Sequence, residues 1–249
     1  MYSMAAPHAK GKSAEDNIFA ANNRAIALAE KIGTENVVNA TVGSILDEDG
    51  SLVVLDVVKE ALSALTPKEM CAYAPIQGYR AFLDACIDQC FGKSRPEGYI
   101  DACSTPGGTG VLHHVVHNYS EVGDEVLISD WHWGAYDSLI DDNNRKVRTF
   151  SLLTEDGHFH AADFKDKVED ILSRQDNIVI ILNGIANNPT GYCLSDEEWQ
   201  EAIDVLKEAA ADETKKAILI PDVAYLDYSG EKEECRRFFR LFGGLPKNI

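Results

Sequence analysis

The sequence predicts an α/β fold, a three-layer α/β/α sandwich around a mostly parallel central sheet. Three short and almost continuously apolar runs carry this prediction, because such runs are typical of strands buried on both faces. They occupy residues 125–129, 178–183 and 217–222. Stretches with helical periodicity alternate with them, at residues 133–141, 162–174 and 195–211. Strands that alternate with helices in this way favour parallel pairing, with helices on both faces of the sheet.

Further helices are predicted on either side of these runs. Before the first run they occupy residues 15–33, 53–65, 78–91 and 108–119, and after the last run one occupies residues 236–242. Gly33 is expected to end the first helix and Thr66-Pro67 the second, because glycine and proline commonly close helices. Ser195 and Glu198 form a capping box that begins the helix at 195–211. Residues 37–43 are predicted to be extended.

Composition and net charge argue against several classes of function. The chain has 249 residues, 45% of them apolar, which suffices for a globular core, and its net charge is −18. An acidic chain is a poor partner for nucleic acid or anionic membranes, and no apolar run approaches the roughly 18 residues of a membrane-spanning helix. The N-terminus has no apolar signal segment, and the six scattered cysteines include no C-x-x-C pair. We therefore expect free thiols and a cytoplasmic location.

A glycine-rich loop, Thr-Pro-Gly-Gly-Thr-Gly, precedes the helix predicted at 108–119. Glycines let the backbone approach a ligand closely, and free amides at a helix N-terminus attract phosphate. Gly108 and Thr109 are thus candidate phosphate ligands, although glycine-rich loops before helices are common. The loop is not G-x-G-x-x-G, which makes a dinucleotide site the poorer interpretation.

Polar and aromatic residues follow each of the three predicted strands. Trp131 and Trp133 follow the first, where a tryptophan either packs in the core or stacks on a flat ligand. Asn188 lies beyond the second, within Asn-Asn-Pro-Thr-Gly, and Asp222 and Tyr225 follow the third. Asp222 either caps the next helix or pairs with a charged group of a ligand. Since ligands of parallel sheets bind beyond the carboxyl ends of the strands, these residues are expected to converge.

No metal site is predicted. His113 and His117 lie four positions apart on one helix, a spacing that can chelate a metal ion. No Glu stands between them in the H-E-x-x-H manner and no further Cys/His cluster is nearby, so packing and surface roles are favoured. The sequence also lacks a G-x-S-x-G elbow and a cysteine-nucleophile motif.

Taken in order, these residues resemble those of pyridoxal-phosphate-dependent aminotransferases of class I/II (fold type I), in the aspartate/aromatic branch. The resemblance runs from about residue 18 to 249 and rests mainly on Asn188-Pro189-Thr190-Gly191 and Asp222-x-x-Tyr225. It implies that Asp222 pairs with the ring nitrogen of pyridoxal 5′-phosphate, while Tyr225 and Asn188 donate to its phenolic oxygen. The chemistry so implied is transfer of an amino group between an amino acid and a 2-oxo acid, a step of amino acid metabolism and biosynthesis.

The resemblance also implies a complete set of binding residues. The cofactor-binding set is Tyr73, Gly108, Thr109, Trp133, Asn188, Asp222 and Tyr225. The substrate-binding set is Gly43, Trp133 and Asn188. Within the first set, Trp133 would stack on the ring, and Tyr73 would reach the phosphate of a neighbouring subunit, which implies a homodimer.

One family feature has no counterpart in residues 1–249. The Schiff-base lysine of the family follows the Asp-x-x-Tyr tyrosine in a Ser-x-x-Lys segment, whereas Lys232 and Lys247 stand in other contexts. The resemblance therefore implies an N-terminal arm and helix (1–45), an incomplete cofactor-binding large domain (46–249) and no C-terminal small domain. We expect this chain to be inactive alone. A non-catalytic or split-enzyme domain of the same fold, or a pyridoxal-phosphate lyase or decarboxylase, are the alternatives.

Overall fold

The computed structural model describes residues 4–10 and 17–249, and the chain divides into two units, Met1–Tyr73 and Ala74–Ile249. The helices of the first unit are α1 (Asn17–Ile32), α2 (Asp56–Ala64) and α3 (Pro67–Cys71). The predicted start of the first helix at residue 15 lies outside the described residues. None of the described residues of this unit is buried.

Local signals in the first unit act largely as predicted. Gly33 ends α1: it has a φ of 95°, and its N–H donates to the Ala29 carbonyl at 2.9 Å. The sequence places one helix over 53–65, but α2 starts only at Asp56, and Thr66 then begins the unpredicted α3 through a capping box with Glu69. Residues 37–43 form no strand in the described structure.

The second unit is built on a four-stranded parallel sheet. Its strands are β1 (Glu125–Ser129), β2 (Lys146–Phe150), β3 (Asn177–Leu182) and β4 (Lys216–Pro221), in the spatial order β2-β1-β3-β4. All three pairings are parallel. The three apolar runs are therefore strands, as predicted, and the predicted fold class is confirmed.

Helices cover both faces of this sheet. They are α5 (Gly107–Tyr119), α6 (Ala135–Asp142), α7 (Ala161–Leu172) and α8 (Asp196–Ala209), and α4 (Arg80–Phe91) precedes them in the chain. Alternate residues of each strand point to opposite faces. Val126 and Ile128 of β1 pack with α5 and α6, whereas Leu127 packs in the cluster that contains α7 and α8. The result is the three-layer arrangement that alternating strands and helices predict.

Strand β2 was not predicted, because its sequence lacks an apolar run. Lys146 and Arg148 interrupt it, and only Phe150 is buried. It has a single neighbour in the sheet, β1, and an edge strand needs no continuous apolar run. The predicted helix at 236–242 is instead a 3₁₀ helix, Arg237–Phe242.

The order of the sheet decides where the glycine-rich loop lies. Helix α5 ends at Tyr119 and β1 begins at Glu125, and Leu112 and Val116 of α5 pack against β1 and β3. The short connection makes α5 run antiparallel to β1, so its N-terminus lies toward the carboxyl edge of the sheet. No helix of the described residues is long and apolar enough to cross a membrane.

Candidate functional site

Three loops leave the carboxyl ends of β1, β3 and β4 and are joined to one another by hydrogen bonds. The Asp222 N–H donates to the Leu182 carbonyl at 3.0 Å, and Asn183 Nδ2 donates to the Asp222 carbonyl at 2.8 Å. Asn187 Nδ2 donates to the Trp131 carbonyl at 3.2 Å, which ties the loop after β3 to the loop after β1. The three loops therefore form one connected rim at the carboxyl edge of the sheet, where ligands of such sheets bind.

Asp222 is partly buried, and both of its carboxylate oxygens have donors. Oδ2 accepts a hydrogen bond from the Tyr136 hydroxyl at 2.5 Å, and Oδ1 accepts one from the Ala224 N–H at 3.1 Å. Burial, together with the adjacent Asp222 carboxylate, raises the pKa of the Tyr136 phenol. The phenol therefore stays protonated and acts as the donor of this pair. Asp222 follows a strand and begins no helix, so the alternative of a helix cap is wrong.

Asn188 and Tyr225 bring their polar ends together. Asn188 Nδ2 lies 3.4 Å from the Tyr225 hydroxyl, a weak hydrogen bond that leaves both groups able to donate to a third atom. The Asn188 N–H donates to Asn183 Oδ1 at 2.7 Å, so the same Asn183 amide group contacts Asn188 and Asp222. Asn188, Asp222 and Tyr225 are thus gathered at one rim, as the sequence predicts.

Two buried asparagines hold this rim, and the sequence alone did not single them out. Asn183 and Asn187 are each 2% exposed. Asn187 closes the loop after β3: its Oδ1 accepts from the Thr190 hydroxyl at 2.8 Å, and its N–H donates to the Tyr192 carbonyl at 2.8 Å. A buried amide must find hydrogen-bond partners. The position of Asn183 directly after a buried strand is the sequence signal for it, whereas Asn187 lies five residues beyond β3.

The aromatic residues after β1 form a small stack. The Trp133 ring packs edge-on against Tyr136, with 5.9 Å between ring centroids, and belongs to the apolar cluster of α5 and α6. His132 lies parallel to Tyr136 at 6.1 Å and is held by contacts to the Ser129 carbonyl (2.8 Å) and Asp137 (3.2 Å). Trp131 is more than half exposed. Trp133 is accordingly the tryptophan with a fixed orientation, while Tyr136 lies at the centre of the stack.

The glycines of the loop before α5 differ in whether backbone conformation or packing requires glycine. Gly107 has a φ of 67°, which favours glycine, and a Cβ on Gly110 would lie 2.8 Å from Pro106 Cδ. Gly108 has neither constraint, because a Cβ there would meet nothing within 4 Å. Thr109 is exposed, and among the described residues no backbone carbonyl accepts from the amide of Gly108 or Thr109. Both amides are therefore available to a ligand.

The remaining candidate residues are Gly43, Tyr73 and the histidines of α5. Gly43 and Tyr73 belong to the first unit, where a Cβ on Gly43 would meet nothing within 4 Å and Tyr73 is fully exposed. Their predicted roles remain predictions. His113 and His117 stack at 6.2 Å on the exposed face of α5. In the described parts of the chain, no three His, Cys, Asp or Glu side chains are placed to hold a metal ion.

The two lysines after Tyr225 are engaged elsewhere. Lys232 Nζ donates to Gln89 Oε1 at 3.0 Å. Lys247 is exposed and pairs with Glu213 at 3.6 Å, and the neighbouring Asn248 carbonyl accepts from the Ala217 N–H near the start of β4. Lys247 therefore lies toward the amino edge of the sheet, opposite Asp222.

Comparisons with known proteins identify the family of the chain. The sequence model of the family "Aminotransferase class I and II" matches residues 35–240. The chloroplastic aspartate aminotransferase of Arabidopsis thaliana is 31% identical over 212 residues, which are 82% of this chain and 45% of that protein. An aromatic-amino-acid aminotransferase of Pseudomonas aeruginosa is 28% identical over 83% of this chain and 51% of its own length. The chain thus spans about half the length of the curated relatives it matches.

Solved structures of aminotransferases are also similar to this chain. An aminotransferase from Anaerococcus prevotii DSM 20548 is 38% identical, with a TM-score of 0.95 over 99% of this chain and 60% of that one. An aromatic amino acid aminotransferase from Psychrobacter sp. B6, at 22% identity and a TM-score of 0.68, shares the fold. With a family match across most of its length, the chain belongs to the class I and II aminotransferases, a family that uses pyridoxal phosphate.

Proposed function

We propose that this chain binds pyridoxal 5′-phosphate and serves in transfer of an amino group between an amino acid and a 2-oxo acid. The observation that carries the proposal is the rim on which Asn183 joins Asp222 to Asn188, and Asn188 in turn contacts Tyr225. An acid on one side, with an amide and a phenol whose polar ends meet on the other, matches the ring nitrogen and the phenolic oxygen of a hydroxypyridine ring. The family of the chain supports the same cofactor.

Each residue of the rim has a task that its chemistry allows. Asp222 is a carboxylate with fixed donors, and it would pair with a protonated ring nitrogen. Asn188 and Tyr225 would donate to the phenolic oxygen, and Trp133 would lie against a ring face. When bound, the cofactor supplies an electron-accepting ring that withdraws electrons from the Cα of the substrate. Keeping the ring nitrogen protonated makes it a better acceptor.

The phosphate would bind at the N-terminus of α5. The amides of Gly108 and Thr109 and the Thr109 hydroxyl are donors there, and the positive end of the helix dipole adds a favourable field. Gly108 supports this proposal, because neither its φ nor its surroundings require glycine. A ligand that approaches the backbone closely does require it.

Alanine substitutions in this loop test the phosphate site. Gly108→Ala should weaken binding of pyridoxamine 5′-phosphate about tenfold, since the added methyl group occupies the space of the phosphate, with the melting temperature unchanged or slightly raised. Gly110→Ala is the contrasting variant: its Cβ would overlap Pro106, so we expect a loss of about 1–3 kcal/mol in the free energy of unfolding. Fluorescence titration and thermal unfolding measure the two effects. Unchanged affinity in Gly108→Ala would remove the phosphate from this loop.

Pyridoxamine 5′-phosphate is the right ligand for the main test, because its binding needs no covalent bond to a lysine. Titration should quench the fluorescence of Trp133 and Trp131 in a saturable way, and pyridoxal 5′-phosphate should compete. Flavin mononucleotide, which carries a phosphate on a different ring system, serves as the control and should not compete. Absence of saturable binding, in a sample shown to be folded by circular dichroism, would refute the proposed function.

A second candidate function is a non-catalytic or split-enzyme domain that binds the same cofactor. The engagement of Lys232 with Gln89 and of Lys247 with Glu213 favours it, since neither amino group faces Asp222. The second candidate predicts that the 249-residue chain binds the cofactor with negligible conversion of amino acid and 2-oxo acid pairs. Turnover by this chain would refute the second candidate. Product analysis by mass spectrometry also separates transfer from elimination or decarboxylation.

We also propose a homodimer, in which Tyr73 contacts the cofactor phosphate of the partner subunit. In the second unit, Ile76 is fully exposed and Tyr79 and Phe82 are each more than half exposed, a surface that favours association. Sedimentation velocity of the chain would test the homodimer, and a monomer at micromolar concentration would contradict it.

We further propose a cytoplasmic location. The six free cysteines support it, because the cytoplasm is a reducing compartment, and cell fractionation tests it. The domain division at residue 45 and the contact of Gly43 with substrate remain part of this proposal.

A further inference from the structure

We propose that Tyr136 is a positioning residue for the Asp222 carboxylate, fixing its orientation toward the ring nitrogen of the cofactor. The inference rests on the proposed cofactor site. Its basis is the 2.5 Å hydrogen bond from the Tyr136 hydroxyl to Asp222 Oδ2, which joins α6 to the loop directly after β4.

The Tyr136 side chain is itself held in place on all sides. It is 1% exposed and belongs to the apolar cluster that includes Val126 and Ile128 of β1. The His132 ring lies parallel to it, with 8° between the ring planes, and Trp133 meets it edge-on at 82°. A ring confined in this way delivers its hydroxyl to a defined point.

The hydroxyl can act only as a donor toward Asp222. Burial, and after it the charge of Asp222, raises the pKa of Tyr136, so the phenol is protonated at neutral pH. A carboxylate has no hydrogen to give, which leaves the phenol as donor and Oδ2 as acceptor.

The two hydrogen bonds of Asp222 fix the rotation of the carboxylate. Tyr136 holds Oδ2, and the Ala224 N–H holds Oδ1 at 3.1 Å. Each oxygen keeps a further lone pair, whose direction is set by the first bond. Without the phenol, Oδ2 would lose its donor, the carboxylate could rotate, and binding a charged ring would have to order it first. Prior ordering of a binding group by its neighbours is a known source of affinity.

Tyr136→Phe tests this role, because it removes the hydroxyl and keeps the buried ring. We expect pyridoxamine 5′-phosphate to bind roughly tenfold more weakly, the order of effect of one hydrogen bond to a charged group. The carbocyclic analogue, in which C–H replaces the ring nitrogen, should bind Tyr136→Phe and the parent chain equally. A variant that merely disturbed packing would weaken both ligands alike, and that outcome would overturn the proposal.

Two further variants complete the test. In an Asp222→Ala background, Tyr136→Phe should have no additional effect on pyridoxamine 5′-phosphate, since the two residues act as a unit. Tyr119 is half-exposed at the C-terminus of α5, at the opposite end of that helix from Gly108 and Thr109. Tyr119→Phe removes its hydroxyl and should leave every affinity unchanged. Undiminished binding by Tyr136→Phe would overturn only the role of Tyr136. A folded parent chain that binds no pyridoxamine 5′-phosphate would overturn the proposed function together with this inference.

Discussion

Asp222→Asn is expected to weaken the binding of pyridoxamine 5′-phosphate by about a hundredfold, the scale of removing one charge from a desolvated, hydrogen-bonded pair. The substitution is nearly isosteric and can keep the local hydrogen bonds. The amide oxygen can accept from the Ala224 N–H, and the amide NH₂ can donate to the Tyr136 hydroxyl, which also accepts. The fold should therefore survive while the negative charge is lost. Fluorescence titration measures the affinity, and urea unfolding the stability.

Asp204→Asn provides the matched control for this experiment. Asp204 lies on the exposed face of α8, where it contacts Gln200 and Lys207, so the same change of one charge should leave the affinity unaltered. If Asp204→Asn weakened binding as strongly as Asp222→Asn, the effect would belong to the net charge of the protein. If Asp222→Asn bound the ligand as the parent does, Asp222 would not contact the ring nitrogen.

Trp199→Ala should produce the largest loss of stability, about 3–5 kcal/mol in the free energy of unfolding, as expected for removal of a buried tryptophan. Trp199 is fully buried on α8 and stacks on Phe238, with 4.8 Å between ring centroids. It also lies directly beneath Gly184, since a Cβ on that residue would be 2.6 Å from Trp199 Cζ2. The cavity would therefore open under the loop that carries Asn188. Urea unfolding followed by circular dichroism gives the change.

Trp199→Phe is the companion variant. Among the described residues, the Trp199 Nε1–H has no hydrogen-bond partner, so phenylalanine gives up ring volume but no hydrogen bond. We expect a clearly smaller loss than for alanine. Equal losses in the two variants would mean that the indole N–H is bonded in solution, and a loss below about 1 kcal/mol in Trp199→Ala would mean that the site collapses around the smaller side chain.

Three of the four strands could be predicted from the sequence, and one could not. Strands β1, β3 and β4 could be predicted because the interior of each is an apolar run whose side chains face both helical layers. Strand β2 could not, because Lys146 and Arg148 interrupt its sequence, which an edge strand tolerates. Helix α3 was missed because the Thr66-Pro67 pair that ends one helix also begins the next.

In the candidate site, some residues could be predicted from the sequence, but the contacts that support them could not. Asn188, Asp222 and Tyr225 could be named from the sequence because they lie in loops after apolar runs, within motifs that resemble those of a known family. Their common support could not: Asn183 bridges two loops 39 positions apart, and Tyr136 reaches Asp222 across 86 positions. A single sequence carries no trace of which distant side chains meet. Nor does it distinguish Gly108, which has open space around it, from Gly110, which packing requires.

The sequence by itself determined the layered α/β fold and the residues that end its strands, because hydrophobic periodicity and strand-end chemistry are local properties of the chain. The tertiary structure decided how those residues are held, through the Tyr136–Asp222 hydrogen bond and the Asn183 bridge. The physical reason is that a hydrogen bond depends on the distance and direction between two groups. Those are fixed only when the sheet orders its strands and the helices pack on it.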